Sequence, residues 1–134
     1  MKQVYTIDGN NFENLKGFYE EFSNKVLDGR EWGKNLDAFD DVLCGDFGTP
    51  HGGFVLKWVN SKISRERLGY DETVRMLEHR LTVCHPLNVD HVRSDLAIAQ
   101  SGRGQTIFDI LIEIIAKHGR GGELVNDDVE LELL

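Results

Sequence analysis

The chain is poor in the features that identify most functional classes. Cys44 and Cys84 are the only cysteines in 134 residues, too few for a disulfide framework, and they fit the thiols of a reducing cytosol. No apolar run approaches the roughly 18 residues of a membrane span, and the opening MKQVYTIDG lacks the apolar stretch of a signal peptide. Both point to a cytoplasmic protein. There is no CxxC, no HExxH, no P-loop or dinucleotide fingerprint, no internal repeat and no low-complexity tract. Positive charge is also short: the formal net charge is −8. Phosphates would be repelled, so nucleic acid is disfavoured as a direct partner and a basic protein fits better. What remains is an ordinary globular composition, 40% apolar and 28% charged. It is long enough for one domain, 1–134, with a real core and no metal or disulfide to staple it.

Strand and helix patterns alternate along the chain. Residues 3–7 alternate and are β-branched, which predicts a strand, and Asp8-Gly9-Asn10 reads as a turn. Asn10 or Asn11 can cap a helix to about Val26, with Phe12, Leu15, Phe18, Tyr19 and Phe22 at helical spacing. Residues 46–53 are a Gly-rich connection, and 54–59 are a compact apolar run that suits a central strand. Helical patterning resumes after Ser61. Asp71 is placed to cap a helix through about Val83, with Val74, Leu77 and Leu81 on one face, broken at Pro86. Residues 91–99 fit helix or strand. Thr106 caps a strongly apolar helix from Ile107 to Lys117, ended by Gly119, and residues 129–134 alternate as a last strand. Strands separated by helices predict an α/β protein with a small parallel sheet and right-handed crossovers.

The most informative stretch is EWGKNLDAFDDVLCG, residues 31–45. It reads as a loop turning into a short helix capped by Asn35. At about 100° per residue, Leu36, Phe39, Val42 and Leu43 share one face, while Asp37, Asp40 and Asp41 share the other. Asp37 and Asp41 are neighbours at helical spacing. Three like charges on two turns repel and gain stability only near a positive partner. Apart from Lys34, the local sequence supplies none. The surface looks built to meet something basic, although acidic helix faces are more often plain solvated surface, and Asp near a helix N-terminus is favoured by the macrodipole.

Trp32-Gly33-Lys34-Asn35-Leu36-Asp37-Ala38-Phe39, followed by Asp41, Leu43 and Gly45, resembles the signature of the barstar family of ribonuclease inhibitors. The first strand and turn at 3–9, the strand at 54–58, the helix at 107–118 and the strand at 129–134 follow in the family's order. The resemblance covers 1–60 and about 104–134. It implies a three-stranded parallel sheet packed with helices, with 61–103 as an inserted helical segment relative to short members. It also implies an intracellular inhibitor, an immunity or antitoxin protein of a bacterium, which blocks a cytotoxic ribonuclease as a monomer in a 1:1 complex. The partner-facing residues would be Glu31, Trp32, Gly33, Asn35, Asp37, Asp40, Asp41 and Cys44, with Glu113 from the last long helix. Asp41 would enter the enzyme's basic pocket and Asp37 would form a flanking ion pair. Asp40 and Glu31 stand where the family carries aromatic contacts, which makes this face more acidic and leaves the partner's identity open.

Other readings stay beside this one. Asp37, Asp40 and Asp41 could serve an enzyme as metal ligands or as an acid–base pair, but such sites usually draw ligands from several elements. The chain could also be a family module that binds without inhibiting. Cys44 has no base in its motif and reads as a partly buried thiol, not a nucleophile. His79, Cys84, His85 and His91 lack metal-site spacing. Gly102-Arg103-Gly104 and Gly119-Arg120-Gly121-Gly122 read as turns. The sequence thus calls for no catalytic residue, no metal and no cofactor.

Overall fold

The computed structural model describes residues 2–45 and 48–134. Three strands, β1 (Gln3–Asp8), β2 (Phe54–Val59) and β3 (Val129–Leu133), form one parallel sheet in the order β1-β2-β3. Phe54 pairs with Gln3 on one side and Val129 on the other, so the register runs level across the sheet. Among the described residues six helices join the strands: α1 (Leu15–Val26), α2 (Leu36–Val42), α3 (Ser61–Arg67), α4 (Tyr70–Val83), α5 (Val89–Gln100) and α6 (Ile107–Lys117). The α/β class and the three-stranded parallel sheet agree with the expectation. Residues 91–99, left open between helix and strand, lie within α5. The connection at 46–53 falls outside the described residues at Asp46 and Phe47.

Alternation along β2 separates two faces. Phe54, Leu56 and Trp58 are fully buried, while Val55, Lys57 and Val59 are only half-buried. Parallel sheets are normally covered on both sides. Here helices pack one face, and the other carries the pair Lys57–Glu132 at 4.0 Å and the half-exposed Val4. The covered face holds an aromatic core. Phe18 lies 5.2 Å from Trp58 and 5.3 Å from Phe39, Phe22 lies 5.1 Å from Phe39, and Phe108 lies 5.2 Å from Trp58. The indole N–H of Trp58 donates to Ser64 Oγ at 3.0 Å, which satisfies the polar atom of a wholly buried ring.

Two predicted caps move. Asp8, not an asparagine, caps the 3-10 turn Gly9–Asn11, and Phe12 then runs extended. The first turn of α1 therefore starts later, with Asn14 accepting from Gly17 N at 2.8 Å. Asn11 is drawn instead to the buried Glu21, which also accepts from Asp8 N. Asp71 lies inside the first turn of α4, whose N-cap is Gly69 with no side-chain bond. There its charge favours the helix through the dipole alone. Thr106 caps α6 as expected and forms a reciprocal capping box with Asp109.

α4 and α5 form a hairpin with its own small core of Leu77, Val92, Leu96 and Ala99, against which Val74 and Leu81 pack. Polar bonds tie this hairpin to the helices around the sheet. The Glu72 carboxylate accepts from Leu15 N, at the start of α1, at 2.7 Å, and it is held by Arg75 at 2.8 and 3.0 Å. Thr73 Oγ1 accepts from Ile107 N, at the start of α6, at 2.9 Å. The hairpin thus satisfies N–H groups that two helices leave open at their first turns. Among the described residues no helix is long and apolar enough to cross a membrane. Glu72→Ala strands the Leu15 N–H in a part-buried place and should cost about 1–3 kcal/mol. The loss should appear in urea unfolding as a lower midpoint with an unchanged slope. An unchanged midpoint would mean that the hairpin adds nothing to α1.

Candidate functional site

The loop before α2 is shaped by its own residues. Trp32 folds back onto α1, edge-on to Tyr19 at 5.5 Å and 6.1 Å from Phe22, and its indole N–H donates to Ser23 Oγ. A Cβ on Gly33 would meet the Ala38 Cβ at 2.8 Å, so glycine lets the loop close against the first turn of α2. Lys34 takes a left-handed turn with φ 48°, and Asn35 then caps the helix by accepting from Ala38 N at 2.8 Å. Phe39 and Val42 bury themselves against the aromatic core, with Leu36 half-buried beside them. Gly45, with φ 97°, turns the chain away after the last turn.

The opposite side of α2 carries the carboxylates, and they divide into two kinds. Asp37 and Asp41 are exposed, and among the described residues neither has an ion-pair partner. Burial, and secondarily the charge of Asp37, pushes the Tyr19 phenol well up. Asp40 is different. One of its oxygens accepts from Lys117 Nζ at 2.7 Å, and the other lies 2.5 Å from His118 Nε2. The His118 ring is wholly buried, and its Nδ1 lies 2.6 Å from the Asp127 carboxylate. Burial alone would push the Asp40 carboxyl up, but the hydrogen bonds from Lys117 and His118 outweigh it and hold it below the usual carboxylate range. The same bond raises Lys117. The chain Lys117–Asp40–His118–Asp127 therefore ties α2 to the end of α6 and to the turn before β3.

The other expected site residues can now be placed. Glu31, Gly33 and Asn35 are exposed on the loop, and Trp32 is half-buried as its internal anchor. Cys44 stands at the surface just past α2, with Sγ 3.9 Å from His118 Nδ1. Glu113 is exposed on α6, where its carboxylate accepts from Gln105. A groove of about 870 Å³ runs beside the N-terminus of α2, walled by Lys34 and Asp37 on one side and by Met76, Arg80, Ile98 and Arg103 on the other. Gln105 also lines it, so Glu113 stands one side chain away. His79, His85 and His91 are exposed, and among the described residues they form no cluster that could hold a metal. His118, Lys117 and Asp127 were not anticipated. The one signal for them was the lack of a local cation for three aspartates.

This arrangement defines a small α/β protein that offers a carboxylate face on a short helix fastened through Asp40. The family model described as Barstar (barnase inhibitor) matches residues 2–88. The chain belongs to the barstar family. A comparison with curated proteins gives no match. The matched range includes the acidic helix and runs through α4. It stops before α6 and β3, which complete the sheet and supply Lys117, His118 and Asp127.

Because the folded-state pKa of Asp40 lies below its unfolded one, the stability it contributes is present at neutral pH. That stability is lost as pH falls from the unfolded value, about 3.9, through the folded one. Asp40→Asn should therefore lower stability by about 2 kcal/mol near neutral pH, and the gap should shrink in acid. Urea unfolding of both forms across the acid range checks this. A gap that is absent at neutral pH would remove the clamp assigned to Asp40.

Proposed function

We propose that the protein is an intracellular inhibitor of a cytotoxic ribonuclease, with the acidic helix filling the enzyme's RNA-binding cleft. A ribonuclease presents Arg, Lys and His to bind phosphates and to stabilise its charged transition state. Carboxylates on a rigid helix replace phosphate oxygens there through charge-assisted hydrogen bonds. One observation carries the reading: Asp37 and Asp41 stand exposed and, among the described residues, without an ion-pair partner, on a helix whose third aspartate is occupied in holding it. Asp41 takes the basic pocket, Asp37 a flanking ion pair, and Glu31 and Glu113 widen the negative field that steers a basic enzyme inward. Trp32, Gly33 and Asn35 shape the edge of the contact, with Cys44 at its far end. We take 1–134 as one domain with 61–103 inserted, acting as a monomer in a 1:1 complex in the cytoplasm of a bacterium, in an immunity or antitoxin role.

Asp40 gives a second reading some weight. It stands where an aromatic anchor is expected, and it turns to Lys117 and His118. Aromatic anchors dominate typical interfaces, so a binding or regulatory module without inhibition is the alternative.

The test is inhibition and binding of barnase, assayed by RNA cleavage and by titration at low and high salt. Wild type should inhibit, and more weakly as salt rises. Asp41→Ala should weaken binding by at least about 30-fold, as for a residue at the centre of an interface. Glu130→Ala, on β3, should change binding less than about twofold. Equal small effects would overturn the role of Asp41. Binding without inhibition would favour the module, and no binding would exclude barnase as the target.

A further inference from the structure

Asp40 fixes more than the helix. With one carboxylate oxygen 2.5 Å from Nε2, it holds the His118 ring so that Nδ1 looks the other way. There Nδ1 meets Asp127 Oδ2 at 2.6 Å and Cys44 Sγ at 3.9 Å, and the three atoms all lie within 4.8 Å of one another. A neutral imidazole donates from one nitrogen only. If that proton goes to Asp40, Nδ1 faces the Asp127 carboxylate lone pair to lone pair, with the sulfur beside them. Three electron-pair donors then converge on one point, and something positive belongs between them. A proton on Nδ1 joins the nitrogen to Asp127, and Cys44 Sγ also has the Asp40 carbonyl at 4.0 Å, while a metal ion can draw on all three donors at once.

We propose that Cys44, His118 and Asp127 form a site for a divalent transition-metal ion of the zinc class. The donors are a thiolate, an imidazole and a carboxylate, the mixed set that zinc and cobalt accept and that magnesium and calcium do not. They come from three places in the fold: the second residue past α2, the residue after α6 and the 3-10 turn Val125–Asp127 before β3. Tetrahedral zinc sets its ligand atoms roughly 3.3–3.7 Å apart. The sulfur–nitrogen separation is already close to that. Asp127 must open from Nδ1 by under about 1 Å, and its side chain is 23% exposed on a surface turn. A carboxylate behind the distal nitrogen of a metal-binding histidine is the usual device that fixes the ring and raises its basicity. Asp40 stands in that place, itself held by Lys117. Loading displaces the thiol proton and any proton on Nδ1. Cys44 is at the surface, so a fourth position is open to water. The site lies 74 and 9 residues apart along the chain, so no spacing motif could reveal it. It stands independently of ribonuclease inhibition.

Titration of the reduced full-length protein with cobalt(II), followed by zinc competition, tests the assignment. Wild type should show a thiolate-to-cobalt charge-transfer band in the near ultraviolet and tetrahedral bands in the visible, lost on adding zinc. Zinc should raise its Tm. Cys44→Ser, a mild change at the surface, should remove the charge-transfer band and weaken binding by at least about tenfold, while Asp40→Asn should keep the band and bind roughly 10–100-fold more weakly. Cys84→Ser should bind as wild type does. The proposal is overturned by absence of the band in wild type, by its survival in Cys44→Ser, or by its loss in Cys84→Ser.

Discussion

A seven-residue helix carrying three aspartates cannot persist alone in water, because nucleation is costly and its charges repel. The bond between Asp40 and His118 resolves this for α2. It removes the central charge from the repelling set and fastens the helix from behind. Phe39 and Val42 supply the apolar hold on the other side. The exposed pair Asp37 and Asp41 is therefore displayed on a fixed support, and a fixed support limits the entropy lost on binding. A buried charge network is weak evidence for stability in itself. Its value here is positional: it sets which way the carboxylates face.

The same economy shapes the surroundings. Trp32 is placed near the edge of the acidic face, yet its ring is committed to Tyr19 and Phe22 and its N–H to Ser23. Its work is to hold the loop from which α2 starts. Glu72 and Thr73 do the comparable task for the α4–α5 hairpin, each accepting the N–H at the head of another helix. The hairpin thereby becomes one wall of the groove beside Asp37. The result is an acidic ridge flanked by a mixed groove whose rim includes Lys34, Arg80 and Arg103. A partner that is basic at its centre can be acidic or apolar at its margin and still fit.

Much of this was legible in the sequence because it depends on local periodicity. The strand at Phe54–Val59, the Asn35 cap, the apolar and acidic faces of α2 and the Thr106 cap follow from residue type and spacing, and the structure shows each. The start of α1 was misplaced because three asparagines in five residues compete to cap it, and the contest is settled by distant Glu21, which takes Asn11. Residues 91–99 were ambiguous because only Val92, Leu96 and Ala99 of the stretch are buried, and they are buried against a hairpin partner rather than the main core. The single domain and the partner-facing roles of the nine named residues rest on the resemblance and the proposal. His118 was invisible for a simpler reason. A histidine after an apolar helix is unremarkable until folding carries it to a residue 78 positions away.

That separation has a kinetic consequence. The acidic helix is written early in the chain, but its fastening is written late, in Lys117, His118 and Asp127. Contacts between distant segments carry a loop-closure cost before they return any stability, and they slow folding. During synthesis the ribosome releases α1 and α2 well before His118. The nascent chain therefore passes through a stage in which the aspartates exist but are not held. The carboxylate face is thus fastened only after the C-terminal residues of the chain have been made.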